Sequence, residues 1–549
     1  MHDVFLSSII KHQTNMNQIR TQISRRNVLR SSLYAGAALA LPTWAKAAGS
    51  NGDIRVAVIG FNGRGSGHID NLLKLKGVRL VALCDVDSEV MDKHVAKIAK
   101  PRKAKDGEEM VGVKVKTFTD YRKLLEDKDI DAVVIATPNH THTLIAMSAL
   151  AAGKHVYVEK PVCHNLWEGT QLVAAGKAVE GKLILQHGMQ RRSDVGWASA
   201  VDYVQSGAIG KLLLSRGTNY KMRPSIGKVS GAKEAVDGVF KAGTFTDKTG
   251  KATTGTVDYN LWSGPRPMLP VMREKFHYDW HWQWPYGSGD IGNQGPHQLD
   301  VARWVLGNPE KLPMRVMSFG NRWGYNDDGQ TPNNQMALYD YGKGNVPILF
   351  DNRGLPAKDM EWGKSQKDGR MPVFYVSGQG KGGSTQIGNV FHCEGGYVAE
   401  SKAYDNEGTM IKKFEKFLEG PDHMPHFFAS IRAGKLVNPN LHISHGFHAA
   451  CLAHLANISY RVGKKAAPEQ IKERLQGDKA ASETFENFAA NLAANKLDIG
   501  VNQAVLGPWL SLNQDTLKFE GEFAEEANKM ATEEYRKEFE LPTSLMAKA

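Results

Sequence analysis

The segment Gly60-Phe61-Asn62-Gly63-Arg64-Gly65 is followed twenty residues later by Asp85, a spacing that suits a bound dinucleotide. Gly60 permits a tight turn. The backbone at Asn62, Gly63 and Arg64 would approach a pyrophosphate, while Gly65 lets the next helix pack closely, so that phosphate meets a helix N-terminus. Asn62 stands where the fingerprint G-x-G-x-x-G has its second glycine, and asparagine is the substitute that best tolerates left-handed geometry. Asp85 would accept hydrogen bonds from ribose hydroxyls, although a solvated residue at a strand end is the plain alternative. A carboxylate there repels a 2'-phosphate and no arginine follows it directly, so NAD is expected rather than NADP.

These groups need a scaffold, and the surrounding sequence supplies one. Residues 54–60, IRVAVIG, are a short apolar run of the kind that forms a buried parallel strand, and RLVALCDVD delivers Asp85 at the end of a second. DAVVIATPNHTHT, Asp131 to Thr143, is a third strand running into a polar turn with Thr137, Pro138, Asn139 and His142. HVYVEKP, His155 to Pro161, is a fourth and ends on Glu159 and Lys160. Strands separated by helical segments imply a doubly wound parallel sheet with functional groups at its carboxyl ends. From Lys211 onward, KLLLSRGTNY, MRVMSFGNRW and VPILFDNRG read as further strands bounded by Gly, Pro, Asn and Asp.

A chain of 549 residues is too long for one core and suits two domains with an appended tail. The hydrophobic fraction of 41% excludes a disordered or fibrous protein. The net charge of +11 resembles a nucleic-acid signal until it is partitioned. Lys11, Arg20, Arg25, Arg26, Arg30 and Lys46 against Asp3 place +5 within residues 1–47, and the remaining +6 is spread without a basic run, so no nucleic-acid partner is expected. Cys84, Cys163, Cys393 and Cys451 lack metal-ligand spacing and read as buried small hydrophobes; no metal site is expected. The stretch SRRNVLRSSLYAGAALALPTWAKAAG has a twin arginine, a short apolar segment and Ala45-Lys46-Ala47, and it resembles a twin-arginine (Tat) export signal cleaved after Ala47. Its apolar run is too short for a stable membrane anchor, so a periplasmic or otherwise exported protein is expected.

The glycine-rich turn, the ATPNxxH segment and the EKP at 159–161 together resemble the Gfo/Idh/MocA family of oxidoreductases. GMQRRS (188–193), VDYNLWSGPRP (257–267), GSGDIGNQGPHQLDVARW (287–304) and HCEGG (392–396) follow in the order that family uses, so the resemblance covers roughly Ile54 to Gly463. It implies an α/β chain with an N-terminal Rossmann domain and a second, α+β domain built on a large, mostly antiparallel sheet that often serves oligomerisation, with substrate between the two. The expected segments are an export signal at 1–47, an NAD-binding Rossmann domain at 50–172, a substrate and homo-oligomerisation domain at 173–463 and a helical extension at 464–549.

Oxidation of a secondary alcohol needs a group to take the hydroxyl proton, and Lys160 and His297 are the candidates. Lys160 ends a strand beside the expected nicotinamide, where burial would lower its pKa and Glu159 would orient it. His297 titrates near neutral pH. Asn293 stands where many family relatives have an aspartate, and an amide supplies hydrogen bonds but takes no proton. Asp300, one helical turn beyond His297, is a candidate to orient the imidazole or else a helix-surface residue. The run FHYDWHWQWPY at 276–286 is either a platform for a carbohydrate or core packing. The insertion at 227–256 reads as an exposed loop or hairpin that covers the cleft. The expected activity is NAD-dependent oxidation of a sugar, sugar derivative or polyol. Two alternatives remain open: glycoside cleavage through transient sugar oxidation by bound NAD, and a non-catalytic sugar- or nucleotide-binding protein.

Replacing Arg25 and Arg26 together with lysine is expected to block export and leave the precursor in the cytoplasm. Fractionation that finds the double variant in the periplasm at normal levels would remove the export assignment.

Overall fold

Six strands form an all-parallel sheet whose central members are buried and rich in β-branched or small residues: β1 (Ile54–Ile59), β2 (Val78–Cys84), β3 (Lys116–Phe118), β4 (Ala132–Ile135), β5 (His155–Val158) and β6 (Leu185–His187). Their order is β3-β2-β1-β4-β5-β6, that of a dinucleotide-binding doubly wound fold, with the switch point between β1 and β4. The computed structural model describes residues 52–549 apart from 104–106, 108, 248, 356–385, 400, 416–421 and 547–549, so the expected export signal at 1–47 lies outside the described residues.

Side chains alternate between the two faces of this sheet with the period of a strand. Ala57, Ile59, Val133, Ile135, Val156 and Val158 meet helices Tyr121–Glu126, His142–Ala151 and Leu166–Ala178. Val56, Val58, Leu80 and Val134 meet helices Arg64–Leu72 and Ser88–Ile98, and also Met424, Phe427 and Phe428 of helix His423–Ala433. The parallel sheet therefore extends past residue 172, the expected domain end, and residues far down the chain complete its packing. Ile443, Phe539 and Leu541 do the same on the first face. Residues 54–549 form one compact unit.

A second sheet of twelve strands lies beyond it, antiparallel except where Ile348–Arg353 pairs in parallel with Leu212–Tyr220. One face packs on helices Gly295–Val305 and Ile443–Val462 through Leu299, Ala302, Phe350, Leu452 and Leu455. The other is covered by helices Pro468–Leu475 and Lys479–Ala494, whose Ile471, Phe485, Phe488 and Leu492 meet Met317, Phe319, Met336 and Leu349. The extension after 463 differs from the helical expectation. Lys464–Ala466, Ala504–Leu506, Leu510–Leu512 and Phe519–Glu520 are short strands that lengthen the large sheet. All four cysteines are buried and unbridged.

Phe488 is fully buried and its ring meets Phe319 and Trp323 edge-on. Phe488→Ala is expected to lower stability by about 3–5 kcal/mol, the usual cost of emptying an aromatic core position. Denaturant unfolding followed by fluorescence measures this, and an unchanged midpoint would show that the helix is not part of the large sheet's core.

Candidate active site

The carboxyl ends of β1, β2, β4 and β5 open into a cavity of about 630 Å³. Gly60, Asn62, Gly63, Arg64, Asp85, Thr137, Pro138, Asn139, His142, Glu159, Lys160, Asn293 and His297 all line it, so the structure brings together the sequence-derived candidates except Gly65 and Asp300. Gly65 acts one step away, because a Cβ there would lie 2.0 Å from the Gly60 carbonyl oxygen. Gly60 has φ of 78°, and a Cβ would press within 2.7 Å of Thr137, so β1 and β4 need glycine to converge at the turn. Helix Arg64–Leu72 then begins at Gly63 without a side-chain cap, leaving its N-terminus at the cavity that Gly63 and Arg64 line.

Asp85 is 9% exposed and accepts from Phe61 N at 3.0 Å and Asp87 N at 3.1 Å. It thereby fixes the glycine-rich turn as well as facing the cavity. Burial raises its pKa, with the His277 charge and the two backbone donors opposing. At the β4 end, the His142 ring bridges Thr137 O and Pro161 O, both at 2.7 Å, and so ties the turn after β4 to the one after β5. Burial lowers the His142 pKa. Asn139 is 5% exposed and its Nδ2 has no partner among the described residues, which leaves a buried donor for a ligand in the cavity.

Glu159 is the most heavily engaged group. Its Oε1 accepts from His68 Nε2 at 2.8 Å and Arg64 Nε at 3.2 Å, and its Oε2 accepts from Lys160 N at 3.1 Å. Burial alone would raise this carboxyl; His68, Arg64 and Lys160 outweigh it and hold the group well below the usual carboxylate range. Lys160 Nζ donates to the Asn293 carbonyl oxygen at 2.5 Å, across from the large-sheet half. Burial lowers the Lys160 pKa, against Glu159 and with Arg64 and Arg223.

His297 lies in the first turn of helix Gly295–Val305, preceded by Asn293 at the end of helix Gly289–Asn293. The expectation for Asp300 is corrected: it is buried and forms a bidentate ion pair with Arg192, at 2.7 and 2.8 Å, so its charge serves that contact. Asp290 is likewise held by Arg223, at 2.7 and 2.9 Å. The aromatic run divides between the two readings. Phe276, Trp280 and Tyr286 join a buried cluster with Phe240, Tyr259 and Trp262, while Tyr278, Trp280 and His281 also line the cavity. The Trp280 and His281 rings stack at 3.7 Å. Burial pushes the His281 pKa down to about 3, so it is neutral at ordinary pH. Among the described residues no group of three His, Cys, Asp or Glu side chains is arranged to hold a metal ion. His277 pairs with Asp87, and His281 Nδ1 contacts Tyr278 O.

The cavity also includes His68, Tyr157, Gln190, Trp262, His423 and Met424, which sequence reasoning did not single out. His68 was within reach, because it lies four residues beyond Arg64 and so shares a helix face with it. His423 and Met424 had no local signal.

Comparison with known proteins decides the lineage. Residues 54–187 match the NAD-binding Rossmann-fold domain of the Gfo/Idh/MocA oxidoreductases, and residues 226–350 match that family's C-terminal α/β domain. These two stretches are similar to the two domains of the Gfo/Idh/MocA oxidoreductases. An inositol 2-dehydrogenase of Salmonella typhimurium is 29% identical over 168 residues, 30% of this chain and 46% of the relative. A protein named glycosyl hydrolase family 109 protein 1, from Shewanella sp. strain ANA-3, is 32% identical over 163 residues, 29% of this chain and 33% of the relative. The chain thus spans less than half the length of these curated relatives. The solved structure of the WlbA dehydrogenase from Bordetella pertussis, in complex with NADH and UDP-GlcNAcA, shares the fold: TM-score 0.50, 16% identity, 75% of this chain and 97% of that one.

Asp85→Ala is expected to weaken NAD binding and narrow any preference over NADP, since the ribose loses an acceptor and a 2'-phosphate loses a repulsive neighbour. Titration with both nucleotides measures it. Unchanged affinities would take Asp85 out of the site.

Proposed function

We propose that this chain is an exported, NAD-dependent oxidoreductase acting on a secondary alcohol of a sugar, sugar derivative or polyol. The observation that carries the reading is Lys160. Its ammonium stands in the cavity beside the glycine-rich turn, its pKa is lowered, and the Asn293 carbonyl fixes its position. Gly60 to Arg64, Asp85 and Asn139 fit a dinucleotide by the open turn, the carboxylate and the unpartnered amide. NAD bound there supplies the hydride acceptor.

The chain's own residues do the rest. Lys160 accepts the hydroxyl proton once it is deprotonated, and Glu159 holds its backbone in place. His297 shares the proton from the helix that faces Lys160's partner residue, Asn293. The Asn293 amide orients substrate by hydrogen bonding, since an amide takes no proton. Tyr278, Trp280 and neutral His281 offer apolar and hydrogen-bonding surface to a sugar ring. Export rests on Arg25 and Arg26, and self-association rests on the family resemblance.

A second reading, redox-neutral cleavage of a glycoside, is favoured by the glycosyl hydrolase and alpha-N-acetylgalactosaminidase names among the relatives. Incubation with a panel of polyols, sugars and glycosides, following reduced nicotinamide and released sugar together, separates the readings. Net nicotinamide reduction supports the first. Sugar release without it supports the second, and neither signal from nucleotide-loaded protein would leave a binding protein.

Lys160→Met and His297→Ala are each expected to keep the fold and nucleotide binding while lowering turnover roughly 100-fold or more, with effects that fall short of adding. Because Lys160 acts deprotonated, kcat/KM for oxidation should rise with pH through a limb below the ordinary lysine value of 10.5, and Lys160→Met should abolish that limb. Full activity in both variants would overturn the assignment.

A further inference from the structure

The loop after β2, which carries the ribose carboxylate of the proposed function, is joined to a segment more than 160 residues away. Thr256 N donates to Ser88 Oγ at 2.9 Å, Ser88 N donates to Thr256 O at 3.0 Å, and Asp258 N donates to Val86 O at 2.9 Å. Thr254 N donates to Glu89 Oε2 at 2.5 Å. The approach is close enough that a Cβ on Gly255 would lie 2.4 Å from Glu89 N. Residues 227–256, expected as an exposed loop, are thus anchored: Phe240 and Phe245 enter the buried aromatic cluster, and Val239–Phe240 pairs with Val257–Asp258.

One side chain completes the junction. His277 Nε2 lies 2.7 Å from Asp87 Oδ2, while Asp87 Oδ1 caps helix Ser88–Ile98 by accepting from Glu89 N and Val90 N. Asp87 N in turn donates to Asp85 Oδ1. Asp85, Val86 and His277 all line the cavity. A loop of this kind ordinarily moves freely on the surface, so a ligand held against it can leave by local opening. Here that opening must break backbone hydrogen bonds and a charge-assisted pair together.

Resting on the dinucleotide reading, we propose that His277 is a positioning residue for the nucleotide's ribose, and that with residues 254–258 it forms a clasp that slows departure of the dinucleotide. The clasp acts through Asp87 and the Asp85 carboxylate rather than through the reacting atoms. Its site is at the ribose, away from Lys160.

The test is the dissociation rate of NADH from the full-length protein, read by stopped-flow fluorescence on displacement with excess NAD. His277→Ala is expected to release NADH roughly tenfold faster, the scale of losing one charge-assisted hydrogen bond. His277→Gln, which still offers Asp87 a donor, should recover most of the slow release. Ser88→Ala, which removes the hydroxyl that meets Thr256 N and Thr256 Oγ1, should accelerate release to a lesser degree and guards against a fold defect in the histidine variants. Wild-type release rates in His277→Ala and Ser88→Ala would overturn the clasp. Failure of the wild-type protein to bind NADH would instead overturn the dinucleotide reading beneath it.

Discussion

A single buried carboxylate organises the site. Glu159 sits at the end of β5 with its oxygens engaged by His68, Arg64 and the Lys160 amide, and a carboxylate taken out of water must have such partners or lose its charge. Those partners come from the helix that starts at the glycine-rich turn and from the residue proposed as proton acceptor. The phosphate end and the chemical end of the cavity are therefore fixed by one ion cluster. Gly188, just after β6, has to be glycine for the same reason, because a Cβ would lie 2.9 Å from both Glu159 Cα and Oε2. Removing the Glu159 charge would take that anion from His68 and Arg64 and would free the backbone on which Lys160 is mounted.

Further buried pairs hold the second half of the wall. Arg223 with Asp290 and Arg192 with Asp300 bracket the helices that carry Asn293 and His297. Such pairs contribute little net stability against well-packed apolar residues, but breaking one leaves a bare buried charge. Their value here is geometric. Arg273 does the same for the aromatic wall, placed 4.7 to 5.4 Å from the ring centres of Phe276, Trp262 and Tyr286. At the far end of the chain, Tyr535 donates to Glu168 and Arg536 to the Gly264 and Asn260 carbonyls, so this segment braces helix Tyr259–Ser263, which bears Trp262.

Much of this was legible in the sequence because it is periodic or local. The alternating apolar residues of β1, β2, β4 and β5, the glycine-rich turn and the spacing to Asp85 are written in neighbouring positions, and strand order follows from the fold they imply. The rest depends on partners distant in the chain. Asp300 could be taken as an orienting group for His297 because they are three residues apart, whereas Arg192, its real partner, is 108 residues away. His277 and Asp87 are separated by 190 residues, so the clasp has no local trace. The strands after residue 463 are two or three residues long, too short to show alternation, and their helical neighbours dominate the pattern. The aromatic run could not be divided in advance, since packing and ligand surface use the same residue types.

The central claim is that the cavity at the ends of β1, β2, β4 and β5 seats a nicotinamide dinucleotide with its reactive ring against Lys160 and His297. A crystal structure of the protein grown with NAD tests it most directly. The account predicts pyrophosphate density at the Gly63 end of helix Arg64–Leu72, ribose density at Asp85 and the nicotinamide against Lys160 and His297. Density for the dinucleotide elsewhere, or a nicotinamide ring turned away from Lys160 and His297 with ordered protein around it, would contradict the claim.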